Sequence, residues 1–361
     1  MRKRVAFYAP MKAPDHPSPS GDRRIARLLM HALDRAGWEV GLASRLRAHQ
    51  RDGNKVAQDY LFQEAERLAD KLADEMAEDP PSVWFTYHCY YKAPDLIGPK
   101  VAAKMGIPYV VAEGYRARKR LTGPYARFSE ASEAALDQAR IIFYLQTRGL
   151  DALERDKTEG QRLIHLPPFT ALGGEPPEKT AARDGPLKLM TVAMMRPGDK
   201  SASYGIMAEA LTGLTIDWSL TVIGDGDDRA AVEAAFGPVA ERVTFLGQID
   251  DRDAILSHYE AADLFVWPGV NEAFGMVYLE AQAAGLPCIA QDRDGVREVV
   301  GPMGRLTDPD DPTAMTRAIE EIASDRAALR AAGREAREHV KAKHGVNAAA
   351  ELLDRSLTSL F

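Results

Sequence analysis

Apolar positions along the chain form short continuous runs, separated by longer stretches whose apolar residues recur at helical spacing. RVAFYAP (Arg4–Pro10) is a β-rich run. A Pro/Ser loop parts it from DRRIARLLMHALDRAGWEV, where Ile25, Leu28, Leu29, Ala32 and Leu33 share one helical face. A second strand is predicted at WEVGLAS, and further strands at SVWFTYH, IPYVVAE and RIIFYL, each after a helical or turn segment. Alternation of this kind implies a parallel sheet covered by helices. LPPFTALGGEPPEKTAARDGP has no periodicity and is rich in Pro, Gly and charge, so it reads as a linker. The pattern then restarts with LKLMTVAMM, WSLTVIGDG, RVTFLGQI, ADLFVWPG and GLPCIAQD, with helices between. The expected fold class is α/β, with two doubly wound domains facing a cleft. Residues 1–170 form the first domain, 171–186 the linker and 187–361 the second, with the last helix free to cross back to the first.

Length and composition agree with this reading. A chain of 361 residues exceeds the usual size of one core, and 45% hydrophobic with 27% charged residues is ordinary for a soluble globular protein. No run of 18 apolar residues exists, and the apolar part of MRKRVAFYAPMKAPDHP is too short for a signal peptide, so a cytoplasmic location is expected. Two distant cysteines, Cys89 and Cys288, fit a reducing compartment and exclude a cysteine metal cage. No nucleic-acid partner is expected. Residues 1–180 carry 28 Lys+Arg against 24 Asp+Glu and residues 181–361 carry 18 against 29, which makes the first half the one suited to an anion.

The most informative stretch is PGVNEAFGMVYLEAQAAGLP. Its strand ends at Pro268, a helix begins near Phe274 and stops at Gly285, and the carboxylates of Glu272 and Glu280 flank Gly275. Ligands of open α/β sheets bind beyond the carboxyl ends of strands, and a glycine at a helix N-terminus admits a phosphate to free N–H groups. Carboxylates accept hydrogen bonds from vicinal hydroxyls, so the array suits a sugar and a ribose joined through a diphosphate.

Glu, seven residues, Glu in this context resembles the donor-site signature of retaining GT-B glycosyltransferases, a fold of two Rossmann-like domains. The chain resembles glycosyltransferase family 4 over most of 185–350, where LTVIGDGDDRAAVE, RVTFLGQI and GVREVV follow in the family's order. The resemblance implies that Glu280 holds the nucleotide ribose and Glu272 the donor sugar hydroxyls. Ala273, Phe274, Gly275, Gly224 and Gly21 would lie near the donor as binding positions. Arg196 and Lys200 would neutralise the departing diphosphate in place of a metal, with no cofactor. Their offset is four where the family has five, so a gapless match would set Met195 on the arginine position. Glu113 and Gly114 stand where the family often has a catalytic-region histidine, and His88 and His16 are further histidines at strand ends. Asp225-Gly226-Asp227 and Asp292-Arg293-Asp294 spell DxD, a metal motif of the other glycosyltransferase fold, and read here as turns.

The implied activity moves a sugar from a nucleoside diphosphate sugar to a hydroxyl or lipid-linked glycan acceptor, with retention, in glycan, lipopolysaccharide or exopolysaccharide assembly. A nucleotide-sugar epimerase of the same fold and a non-catalytic sugar-binding protein are the rival readings. In GYRARKRLTGPYAR, the cations Arg116, Arg118, Lys119 and Arg120 are expected to hold an anionic acceptor or an anionic membrane face.

Overall fold

The computed structural model describes residues 3–18, 20–171, 185–273, 275–301 and 304–361. The chain divides into two compact units, one of Met1–Pro167 with Val346–Phe361, the other of Pro168–Gly345. Most of the expected linker, 172–184, lies outside the described residues.

The first unit is built on six parallel strands, β1 (Arg4–Tyr8), β2 (Glu39–Ser44), β3 (Val83–Cys89), β4 (Tyr109–Gly114), β5 (Ile141–Tyr144) and β6 (Arg162–His165), in the order β2-β1-β3-β4-β5-β6. β3 and β4 are buried along almost their whole length, as strands sandwiched between helices must be. The helix Gly21–Arg35 buries Ile25, Leu28, Leu29, Ala32 and Leu33, and Ser20 caps it by accepting from Arg23 N–H (3.2 Å). The last helix, Val346–Thr358, belongs to this unit. Its Asp354 accepts from Lys3 Nζ (2.6 Å) and from the indole Nε1 of buried Trp38 (2.9 Å).

The second unit repeats the plan with β7 (Leu187–Val192), β8 (Trp218–Ile223), β9 (Val243–Phe245), β10 (Leu264–Val266), β11 (Cys288–Gln291) and β12 (Arg305–Thr307). All are parallel, in the order β12-β11-β10-β7-β8-β9. Each sheet reverses its winding once, beside its first strand. The reversal falls between β1 and β3 in one unit and between β7 and β10 in the other, where crevices open at the carboxyl ends. Three non-glycine residues have positive φ among the described residues, His88 (63°), Glu113 (62°) and Asn271 (51°), and each lies at or just beyond a strand's carboxyl end. Backbone strain of this kind costs about 1–3 kcal/mol per residue and concentrates at functional sites.

Two glycines show how differently the same residue is used. Gly224 has φ of 146°, and a Cβ there would stand 1.9 Å from the carbonyl oxygen of Ala193, so this position is fixed by close packing of the loops after β7 and β8. A Cβ on Gly21 would meet nothing within 4 Å. Gly224→Ala is therefore expected to destabilise by roughly 2–4 kcal/mol through overlap and strain. Gly21→Ala should leave stability within about 1 kcal/mol of the parent. Urea unfolding of both variants checks the contrast.

Candidate functional site

In the second unit, the loop after β7 and the loop after β10 bring their side chains together at the reversal of winding. Lys200, in the first turn of the helix Asp199–Thr212, donates from Nζ to Glu272 Oε1. The same oxygen accepts from the indole Nε1 of Trp267 (3.1 Å), and Lys200 Nζ stands 5.5 Å from the centroid of the Trp267 ring. Trp267 is itself fully buried, set edge-on against Tyr204 at 4.9 Å. The ammonium thus sits against both a carboxylate and an aromatic face. Glu272 Oε2 makes no hydrogen bond among the described residues.

The loop carrying Glu272 is anchored from several sides. Ser203 Oγ accepts from Val270 N–H (3.0 Å), and Asn271 Nδ2 donates to Asp199 Oδ2 (2.9 Å). Gly295 lets a neighbouring helix pass beneath, since a Cβ on it would fall 2.0 Å from Glu272 O and 2.8 Å from Ala273 O. Gly275 has φ of 54° and precedes the helix Met276–Ala283, whose N-terminus has no side-chain cap. A Cβ on Gly275 would meet Val299 Cγ2 at 2.6 Å, so packing as well as conformation demands glycine. Phe274 lies outside the described residues. Glu280 follows in the second turn of this helix and is only 4% exposed.

Arg196 is exposed and makes no ion pair among the described residues, whereas Met195 is fully buried in the core. The one-residue offset in the sequence therefore has a structural outcome: the cation at this turn is Arg196. Gly224, expected near the donor, is also required by close packing, for the overlap with Ala193 given above. The first aspartate of each DxD string has a cationic neighbour. Asp225 pairs with Arg229 (3.2 Å) and Asp292 with Arg297 (2.7 Å). Among the described residues, no group of three or more His, Cys, Asp or Glu side chains could hold a metal ion.

In the first unit, His88, the penultimate residue of β3, donates from Nδ1 to Oδ1 of Asp22 (2.6 Å), a residue in the first turn after Ser20. The His88 ring stacks on Tyr90 at 4.8 Å. Burial and the nearby Asp22 push the Tyr90 phenol up to about 12. Glu113, expected in the catalytic region, lies in β4. It is 2% exposed, and its oxygens accept from Tyr115 OH and Leu145 N–H (3.1 Å), which makes it an internal acceptor that holds two loops. His16 lies in the loop after β1, where its Nδ1 accepts from Ser18 N–H (3.1 Å).

Arg116 is a correction. Its side chain is 2% exposed and fixed between Glu133 (2.8 Å) and Asp137 (2.7 Å), one turn apart on the helix Ala126–Gln138. An arginine so enclosed has no charge to offer an acceptor. Arg118 stays exposed and pairs with Asp156 (2.8 Å), whose carboxyl Arg155 in the first place holds below the usual range. Sequence reasoning passed over Asp22 and Trp267. Asp22 reads as an ordinary first-turn acid and Trp267 as one more core aromatic.

Residues 187–325 match the sequence model of the family described as Glycosyl transferases group 1. The chain carries a group 1 glycosyl transferase domain. The cluster of Lys200, Glu272 and Trp267 lies wholly within it. Over 120 residues the chain is 34% identical to the phosphatidyl-myo-inositol mannosyltransferase of Mycobacterium leprae, a match covering 32% of each chain. The chain thus spans about a third of the length of this curated relative. Its fold is similar to that of sucrose-phosphate synthase from Thermosynechococcus elongatus (TM-score 0.70, 21% identity, 100% of this chain and 99% of that one). It is also similar to that of Anabaena HepE, solved in complex with UDP (TM-score 0.71, 16% identity, 99% and 100%). Both establish the GT-B fold.

The enclosed pairs of Arg116 carry a stability consequence. Removing one partner from a buried ion pair costs about 3–5 kcal/mol, because the opposite charges are left without compensation. Arg116→Ala is expected to lose stability on that order, discounted because Asp137 is half-exposed, while exposed Arg118→Ala should lose under about 1 kcal/mol. Denaturant titration of the two variants measures the difference.

Proposed function

We propose that this protein transfers a sugar from a nucleoside diphosphate sugar to a hydroxyl acceptor, with retention at the anomeric carbon. The observation that carries the reading is the Lys200, Glu272 and Trp267 cluster at the carboxyl ends of β7 and β10, inside the group 1 domain. In the reaction, the bond between the sugar's anomeric carbon and the diphosphate oxygen breaks, with its electron pair leaving on phosphate. The acceptor oxygen forms the new bond on the same face, and its proton passes to the departing phosphate oxygen. Lys200 and Arg196 offset the charge that develops there, as fixed cations do best in a preorganised site. Glu272 receives sugar hydroxyls through Oε2, and Glu280 receives those of the ribose. The mannosyltransferase name of the Mycobacterium leprae relative favours glycolipid assembly as the setting.

A diphosphate competes with Glu272 for the Lys200 ammonium, and this separates the roles. Lys200→Ala is expected to cut transfer by about 10²-fold or more, with activity surviving EDTA. Glu280→Gln should weaken binding of the bare nucleoside diphosphate. Glu272→Gln should leave that binding unchanged or tighter and still impair transfer. Calorimetry with the bare nucleotide and release of nucleoside diphosphate with and without acceptor decide it. Magnesium-reversible loss of activity with chelator, or conversion of donor without acceptor, would overturn the assignment.

The same reading includes peripheral contact with an anionic membrane in the cytoplasm. No helix of the described residues is long and apolar enough to cross a membrane. Supporting a surface contact, Val56 (78% exposed) and Tyr60 (62%) lie one turn apart at the start of the helix Lys55–Glu75, and basic Lys55 adjoins them. Gln58 of that turn donates to Pro124 O (2.8 Å), which ties it to the segment bearing exposed Lys119, Arg120 and Leu121. Val56→Asp with Tyr60→Asp is expected to abolish sedimentation with anionic vesicles, and salt should weaken it in the parent. Equal sedimentation of parent and variant would sink the contact.

A further inference from the structure

The loops following β1, β2 and β3 are laced together at the carboxyl edge of the first unit. Ala48 N–H donates to Pro10 O (2.9 Å), Gln50 N–H to Lys92 O (2.8 Å), Arg47 Nε to Met11 O (3.1 Å) and Tyr8 OH to Leu46 O (2.7 Å). This lacing fixes Arg47 and His49 from one loop and Lys92 from another beside the reversal of winding that bears His88. Neither Arg47 nor Lys92 makes an ion pair among the described residues, while nearby Arg45 is paired with Asp15 (2.6 Å). Lys92 Nζ instead stands 5.9 Å from the Tyr91 ring and 5.8 Å from the Tyr125 ring, two aromatic faces that hold an ammonium without neutralising it. Asp22 Oδ1 already accepts from His88, and Asp52 acts on Tyr125 at the same edge. His49 reports the resulting field: burial first, then Arg47, Lys92 and His88, push its imidazole below the ordinary histidine range, opposed only by Asp22.

We propose that Arg47, His49 and Lys92 form a binding site for the phosphate group of a phosphate-ester acceptor, beside His88 held in orientation by Asp22. A guanidinium fork, an ammonium and an imidazole from two tied loops match a multiply charged oxyanion better than a neutral hydroxyl. Nδ1 of His88 is committed to Asp22, which leaves Nε2 to accept a hydrogen bond from a hydroxyl of the bound ester. This replaces the enclosed Arg116 as the anionic-acceptor contact. The site rests on the proposed transfer reaction for its purpose, although its occupancy is measurable apart from it.

The test follows the His49 and His88 imidazole resonances of the full chain by NMR, with glycerol 3-phosphate as the soluble probe and phosphatidylglycerol vesicles as the lipid probe. Binding is expected to shift both signals and to raise the pKa of His49, since the anion offsets Arg47 and Lys92. Lys92→Gln and Arg47→Gln should each weaken the effect about tenfold or more, the range of a lost charged hydrogen bond. Lys92→Arg should retain it, which guards against a folding defect. Lys200→Ala should bind like the parent, because that residue belongs to the other unit. A response to vesicles alone assigns the phosphate to a lipid headgroup, and a response to glycerol 3-phosphate assigns it to a free ester. No shift with either probe, or shifts unaffected by Lys92→Gln and Arg47→Gln, would overturn the site. Calorimetry with nucleoside diphosphate is run separately, so that failure of the donor reading is told apart from failure of this one.

Discussion

A parallel sheet can grow only through crossovers that pack back with one hand, and a sheet that begins in its middle must reverse its winding once. Both units obey this constraint, and the chemistry of each follows from where the reversal falls. Beside β7 it separates the helix start carrying Lys200 from the loop carrying Glu272, then brings the two side chains within bonding distance. Beside β1 it does the same for Asp22 and His88, which are far apart in sequence and share a 2.6 Å hydrogen bond. No local propensity makes either pair. They exist because strands that are not consecutive in the chain are neighbours in the sheet.

Electrostatics at the two edges then take opposite forms. The second unit confines a cation between a carboxylate and an indole, so that the charge is stored in a geometry a competing anion can draw upon. In the first unit, Arg47 and Lys92 make no ion pair among the described residues, and burial first, then these cations, depresses His49 beside them. Storing a charge favours selectivity for ligands that can displace a partner. Cations without such a partner favour capture.

Much of this was legible in the sequence, and the parts that were not share a cause. Strands such as β3, β4 and β10 are continuous apolar runs because helices cover both faces, and their reading held. β6 and β12 were missed, since RLIH and RLT are short edge strands, half-exposed, with no apolar run to mark them. Lys200 and Glu272 were singled out through the family resemblance of their two separate segments, and the fold brings them together. Arg116 was misread for the opposite reason. Its run of basic residues looks like surface, and only the fold sets it against Glu133 and Asp137; their own spacing of four, one helical turn, was the available hint. Asp22 gave no signal at all, since it sits in a helix and its partner lies far along the chain on β3.

The first unit is completed by the last helix, whose Asp354 receives both Lys3 and the Trp38 indole. During synthesis its six strands therefore emerge long before the segment that covers the helix Gly21–Arg35, with the whole of the second unit translated in between. At about 5–20 residues per second that interval is on the order of ten seconds or more. Through it the buried indole of Trp38 has no acceptor and an apolar helix face stays uncovered, whereas the uninterrupted second unit has everything it needs to close. The second unit is contiguous in the chain, whereas the first is complete only once its final segment has been made.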